Sequence, residues 1–508
     1  MHLLLLLDDV LRQIFDFCPK PCLAVVARSS RSWTDPALDG IWSHLTTLEP
    51  LLRLIPGLVC VDGVYNVFCE GPLQLDVFYS YARRIRHITQ RHDIRVHPDL
   101  LSFLSTPVLD KLLTTRLSLP DLHSLPAALS LSPSLRQLDL DFGFKQKGRN
   151  GDASHHHIES LLEIATALER VRLRGLGSPL LNICISRMSN LHSLALRMGS
   201  VMTANTLVAV SSFPHLSELD IEASHLDVDA FSEAWPTPMP NEMGFFPRLQ
   251  KLHISARAPL LRFFLKTMRP AYLHTLRFDV TTVPSDSSVD WSSIFDLLRT
   301  HTSQTLEDLT IEHHLNDVDL DASPSVGTSM NTPTTTHTPQ KTDLLTFDKL
   351  RLLAPLRLLR KLTIDITYNL DLCDADIEEL SAWWPNLTHL HLDTLHPSDC
   401  LPSTATRRPR ATLACLRTLA SSMPALHTLI LPLDSGSLPS PFANDIMSNA
   451  LSRLIISEFA PPPDSAALAL YLHHLFPRLA EVEGTDEQHQ AEWIKIQHQL
   501  DRLQVAVH

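Results

Sequence analysis

Glycine is scarce in this chain, with 14 residues in 508 against an average usage near 7%. No glycine-rich phosphate loop or dinucleotide-binding fingerprint can be traced, and neither a nucleophile elbow nor a zinc-protease helix motif is present. Those absences speak against an enzyme, and no cofactor is expected. Long apolar runs are missing as well. Leu3 to Leu7 begin like a signal peptide, but they lack a positive leading region and a small-residue cleavage site, and Asp8-Asp9 ends the run. No other stretch approaches the roughly eighteen uninterrupted apolar residues that suit a membrane span. Nor is there a basic tract. The formal charge is −13, which disfavours binding nucleic acid through phosphate neutralisation. The densest basic cluster, Arg407-Arg408-Pro409-Arg410, reads as a solvated loop. The eight cysteines are scattered rather than arranged as a disulfide framework, and Cys18 and Cys22 have no second pair at zinc spacing. These features predict a cytoplasmic and/or nuclear protein that engages neither membrane nor nucleic acid.

What is present begins at the amino end. Leu7, Val10, Leu11, Ile14 and Phe15 recur at the three- and four-residue steps that share one helical face. Asp8 and Asp9 complement the positive end of that helix. Cys18-Pro19-Lys20-Pro21-Cys22 breaks it, and a second helix is predicted from Pro21 to about Trp33. Asp35-Pro36 reads as an N-cap followed by a first-turn proline, opening a third helix through Leu38, Ile41, Trp42 and Leu45.

This arrangement resembles the F-box family. The matching stretch runs Leu6-Leu7-Asp8-Asp9-Val10-Leu11-Arg12-Gln13-Ile14-Phe15, then Leu23 and Val26, then Arg31-Ser32-Trp33, and closes with Leu38-Asp39-Gly40-Ile41-Trp42. Leu7 stands where the family has proline, and Ser29 where it is usually apolar. The resemblance covers about the first tenth of the chain. It implies that residues 1–48 dock on a Skp-type adaptor and, through it, join a cullin-based ubiquitin ligase. The adaptor-facing residues it implies are Leu7, Val10, Leu11, Ile14, Phe15, Leu23, Val26, Trp33, Leu38 and Trp42. Residue spacing alone leaves a second reading open, in which the same helices cap the following domain.

The other large signal is repetition. A Leu-x-x-Leu-x-Leu frame recurs eleven times, from Leu135/Leu138/Leu140 through Leu273/Leu276/Phe278 and Leu387/Leu390/Leu392 to Leu451/Leu454/Ile456. Phe213-Pro214, Phe246-Pro247, Trp384-Pro385, Met423-Pro424 and Phe476-Pro477 stand just before an opening leucine or its equivalent. A proline there ends the preceding helix, and the alternating apolar pair then enters a short strand. One helix and one strand cannot enclose a core, whereas stacked copies bury each apolar face against the next. The pattern resembles leucine-rich repeats, mostly 23 to 33 residues apart, with Gly143, Gly199 and Ser224 where the family has asparagine after the strand. The implied fold class is α/β: a three-helix F-box followed by an irregular solenoid, with parallel strands on its concave face and helices on its convex face.

Residues 49–120 read as linker and degenerate first repeats, 121–484 as the solenoid, and 485–508 as a terminal cap. Thr485 and Gln488 carry a capping-box signature there, and Trp493, Ile496, Leu500 and Leu503 line one helical face. Residues 316–343 lose all periodicity and read as a disordered excursion, with phosphorylation expected at Ser323-Pro324, Thr332-Pro333 and Thr338-Pro339. Residues 144–157, 235–244 and 401–412 read as shorter insertions of the same kind.

In each strand the residue between the last two apolar positions points away from the core, which gives Asp139, Arg172, Asp220, His253, Arg277, Thr310, Thr363 and His391. Eleven such positions about 4.8 Å apart span roughly 50 Å, a surface that fits a protein client better than a small molecule. His155-His156-His157 falls in an insertion, while His389 and His391 share a strand face but would need a third ligand to hold a metal. No metal site is assigned. Taken with the F-box resemblance, this implies a non-catalytic recruiter whose repeats capture a client for ubiquitin transfer; the alternative is a leucine-rich-repeat scaffold with no ubiquitin role.

Overall fold

A computed structural model describes residues 8–68, 73–92, 94–97, 100, 103–104, 107–118, 132–143, 151–176, 178–199, 202–235, 245–268, 272–282, 289–315, 345–366, 370, 372–393, 409–439, 449–458, 461–462 and 464–505. Two compact units divide the chain, Met1–Glu222 and Ala223–His508.

The first unit opens with three helices, α1 (Asp8–Phe15), α2 (Lys20–Ser29) and α3 (Arg31–Trp42). Leu11, Phe15, Leu23 and Ala37 form their common core, flanked by Cys18, Val26, Ala27, Trp33 and Ile41. The break between α2 and α3 falls at Ser30, not at Asp35-Pro36: Ser30 is extended at φ −152°, and Pro36 lies inside α3. Burial decides this. Pro36 and Ala37 pack inward, and the apolar area removed from water outweighs the one backbone hydrogen bond that a proline forfeits.

Parallel strands follow in the order β1 (His44–Leu45), β4 (His87–Gln90), β6 (Thr114–Ser118), β7 (Gln137–Asp141), β8 (Arg170–Arg174), β9 (Ser193–Arg197) and β10 (Glu218–Glu222). A small second sheet joins β2 (Leu58–Val61), β3 (Val64–Val67) and β5 (Arg95–Val96). Its hairpin turns at Asp62-Gly63, both at positive φ, as a two-residue turn requires. Three of these strands precede the first recognisable leucine frame. Their inward positions carry Ile88 and Gln90 in β4, Thr115 and Leu117 in β6, and two polar residues there hide the pattern. Gln90 is satisfied although buried, its Oε1 accepting from Leu48 N at 2.9 Å. The first strand of the sheet already falls within residues 1–48.

In the second unit the strands are β11 (Lys251–Arg257), β12 (Thr275–Thr282), β13 (Asp308–Leu315), β14 (Lys361–Ile366), β15 (His389–Leu392), β16 (Thr428–Leu433), β17 (Arg453–Glu458) and β18 (Glu481–Gly484), each parallel to the next. Helices occupy the connections, including Ala258–Thr267, Trp291–Thr302, Asp374–Ser381, Cys415–Ser422 and Ser465–Leu475, because parallel neighbours need a crossover. Register explains the leucine frame. Leu252, Leu276, Leu309, Leu362, Leu390, Leu429, Leu454 and Val482 stand side by side and are all buried. Each fully buried aliphatic side chain contributes on the order of 1.5 to 3 kcal/mol, and a single repeat supplies too few of them to stand alone.

A backbone device repeats with the frame. The carbonyl of the residue after each opening leucine accepts two successive N–H groups of the next repeat: Arg136 from Glu169 and Arg170, His274 from Glu307 and Asp308, His427 from Ser452 and Arg453. The fold is thus an α/β solenoid of leucine-rich-repeat type.

The C-terminal helix, Gln490–Val505, buries Trp493, Ile496 and Leu500, with Leu503 half-buried. Gln497 closes the exposed edge of β18: its Oε1 accepts from Val482 N at 2.8 Å and its Nε2 donates to Ala480 O at 3.0 Å. A side-chain amide thereby fills the place of another strand. The cap ahead of this helix is Asp486, whose carboxylate accepts from Gln488 N at 2.9 Å; Thr485, the residue expected there, instead donates to Ser457 Oγ. Residues 151–157, read as an insertion, belong to the helix Gly151–Ile164. Residues 144–150, 236–244, 316–343 and 401–408 lie outside the described residues, as do the three Ser/Thr-Pro sites.

Gly143 and Gly175 follow β7 and β8 at φ +72° and +99°. A Cβ on Gly175 would sit 2.5 Å from the Gly143 carbonyl oxygen and 2.7 Å from its nitrogen. Gly175→Ala is expected to destabilise the first unit by about 2 to 3 kcal/mol, from left-handed strain and backbone displacement together. The urea unfolding midpoint of that variant checks this.

Candidate functional site

Two surfaces carry the residues picked out by the sequence. On the first, α1 presents two stripes one residue apart. Leu11 and Phe15 face inward, Val10 and Ile14 take an adjacent face at i, i+4, and Phe17 follows in the turn just after the helix. Val10 is half-buried; Ile14 is 45% exposed and Phe17 91%. Val25 on α2 is also exposed. Val26, Trp33, Leu38 and Trp42 are half-buried. Leu11, Phe15 and Leu23 lie in the core of the helices and can shape a docking face only by holding it together. Leu7 is outside the described residues. Phe17 was not picked out by the family pattern; it lies in the turn just after α1.

A charged network fixes these helices in place. Asp39 on α3 accepts from Arg12 of α1 and from Arg84, which follows the helix Asp76–Ala82. Arg12 Nε also donates to Asp8 at 2.8 Å, and Arg84 Nη2 donates to Asp35 at 2.6 Å. The Asp39 hydrogen bond raises the Arg12 pKa. Burial works against the charge of Arg84, but the hydrogen bonds it donates to Asp35 and Asp39 outweigh that and raise its pKa as well. Trp42 packs on Tyr81 with ring centroids 4.7 Å apart. Nothing local in the sequence links Asp39 to Arg84, forty-five residues later.

The second surface is the face of each sheet opposite the leucines. In the first unit one register row runs Thr89, Arg116, Asp139, Arg172, Ala195, Asp220. Arg172 is exposed, and Asp139 and Asp220 are half-buried. Arg116 Nε meets Asp139 at 2.9 Å and Arg197 Nη2 meets Asp220 at 3.1 Å. In the second unit the row runs His253, Arg277, Thr310, Thr363, His391, Ile430, Ile455, Glu483. His253 Nε2 lies 2.8 Å from Asp279, which also receives Arg277 at 3.2 Å; Arg277 reaches Glu312 at 2.8 Å. Burial pushes the Asp279 carboxyl up, but His253 and Arg277 together hold it below the usual range.

Two of the residues expected to face outward are buried. Thr310 is 8% exposed and His391 9%, while His253, Arg277 and Thr363 are half-buried. The register supplies the reason for His391: Ile430 and Ile455 continue its row and are buried too, so this part of the face is apolar rather than solvated. His389 is exposed and meets Thr388 Oγ1 at 2.8 Å. Among the described residues no group of three or more His, Cys, Asp or Glu could hold a metal ion, and no helix is long and apolar enough to cross a membrane.

No family model matches the chain, and no curated protein matches it. Among solved structures, a chain from the crystal structure of the Rad7 and Elc1 complex in yeast matches with 13% sequence identity and a TM-score of 0.32, over 80% of this chain and 92% of that one.

Proposed function

We propose that this protein is the substrate-recognition subunit of a Skp/cullin/F-box-type ubiquitin ligase. Its N-terminal helices bind the Skp-type adaptor, and its repeats hold a protein client. The chain itself carries no catalytic step and works in the cytoplasm and/or nucleus. The observation that supports this most is the pair of stripes on α1. Leu11, Phe15, Leu23 and Ala37 already close the internal core, yet Ile14 and Phe17 stay in solvent beside them. Apolar side chains on and just after a helix that the fold leaves uncovered suit a groove on a partner.

A second reading, a scaffold whose first helices cap the solenoid, draws on the anchoring of α3 by Arg84 and Tyr81. One experiment separates them. Ile14→Asp is expected to abolish co-purification with the Skp-type adaptor at unchanged thermal stability, whereas Leu11→Asp should unfold the helices. Undiminished co-purification of Ile14→Asp sinks the ligase reading. Removing residues 1–42, which spares β1, should leave the melting temperature of the repeats nearly unchanged if the helices are a docking module and lower it sharply if they are a cap.

A further inference from the structure

β8 has an unusual composition for a strand in a chain of net charge −13: Arg170-Val171-Arg172-Leu173-Arg174. Val171 and Leu173 are buried, and all three arginines are exposed on the open face. Alternate residues of a strand stand about 6.6 Å apart, so like charges are fixed there at a spacing at which they repel. At Arg170 and Arg172 the surroundings do little to relieve this. On the β7 side Asp139 is engaged by Arg116 at 2.9 Å, and Asp141 accepts from Gly143 N at 2.9 Å. On the β9 side Arg170 and Arg172 are in register with Ser193 and Ala195, which offer no carboxylate. Asp220, one strand further, is engaged by Arg197. Among the described residues Arg170 and Arg172 have no ion-pair partner.

We propose that this strand face binds an extended acidic peptide of the client, with carboxylates on alternate residues seated on Arg170 and Arg172. This rests on reading the open face as the client surface, and names the chemical class of what it takes. An extended peptide laid along β8 repeats its side chains at the spacing of the arginines, so two carboxylates meet two guanidinium groups without distortion of either chain. Guanidinium is suited to this by its planar fork, which can donate two parallel hydrogen bonds to one carboxylate. A nucleic-acid backbone fits less well. Asp139 and Asp141 on one side and Glu218, Asp220 and Glu222 on the other break up the positive charge around β8, whereas a phosphate chain needs a broad basic surface.

The test uses the full-length protein and fluorescence anisotropy. The probes are a labelled peptide of alternating glutamate and alanine, the same peptide with lysine for glutamate, and a labelled oligothymidylate. The glutamate peptide is expected to bind, to weaken steeply with added salt, and to lose at least tenfold in affinity in the double variant Arg170→Glu/Arg172→Glu. Arg170→Gln/Arg172→Gln, which keeps side-chain length and hydrogen-bonding groups, guards against a folding defect and should lose nearly as much. Unchanged affinity in the glutamine variant, no binding of the glutamate peptide, or tighter binding of oligothymidylate would each overturn the proposal. Adaptor co-purification of both double variants should equal that of the native protein. Peptide binding without any adaptor binding would leave this site standing and remove the ligase reading, and the reverse result would remove only this site.

Discussion

Trp384→Ala should lower the unfolding free energy of the second unit by about 4 kcal/mol, near the upper end for a large-to-small core substitution. Trp384 is fully buried and stands edge-on to Trp383, ring centroids 5.4 Å apart. Trp383 in turn stacks on Phe347 at 5.3 Å, and the Arg351 guanidinium lies 4.9 Å from the centre of the Phe347 ring. The indole Nε1 donates to Leu353 O at 3.3 Å. Alanine would therefore leave a cavity and a buried carbonyl deprived of its donor, and both effects destabilise. In a solenoid each repeat is supported by its neighbours, so loss at this site should spread to the strands on either side. Chemical denaturation of the variant gives the magnitude. Trp384→Phe, which keeps most of the volume but not the donor, should cost less than half as much. A midpoint for Trp384→Ala equal to that of the native protein would show that the aromatic cluster is not part of the cooperative core.

Acid is expected to destabilise the same unit through His391. Burial pushes the imidazole pKa down to about 4, and among the described residues Nε2 has no hydrogen-bond partner. In the unfolded chain the group titrates near 6.5. Between about pH 4 and 6.5 the unfolded state binds the proton and the folded state does not, so stability rises with pH across that window. Above 6.5 the full stability is present; below about 4 both states are charged and the folded one bears the whole desolvation cost. The difference is on the order of 3 kcal/mol. His391→Leu should flatten the dependence of unfolding free energy on pH between 4 and 6.5 and leave the acid limb below 4 to the carboxylates. Equal slopes for the variant and the native protein would contradict it.

These two residues show what a sequence reading reaches and where it stops. Trp384 was legible because a proline follows it and a leucine frame begins two residues later, a purely local signal of helix end and turn. His391 was legible only as an alternate strand position. Its burial follows from Ile430 and Ile455, which register places in its row from strands that begin about forty and sixty residues away. Ile14 and Leu11 illustrate the same limit. Their spacing put both on one helix, but which of the two faces water depended on where Leu23 and Ala37 came to rest.

The order of the residues alone determined that the chain starts with short apolar-striped helices, that strand and helix alternate in phase with the leucine frame, and that the strands must be parallel and stacked. Those properties depend on the period of burial along the backbone, which is written locally. Tertiary structure alone decided where the strands before the first clear frame begin and end, that α3 runs through Pro36, that Arg84 closes on Asp39, and that among the described residues Arg170 and Arg172 have no ion-pair partner. Each of these turns on which distant segment lies alongside, and burial and Coulomb energy depend on distance in space rather than on separation along the chain.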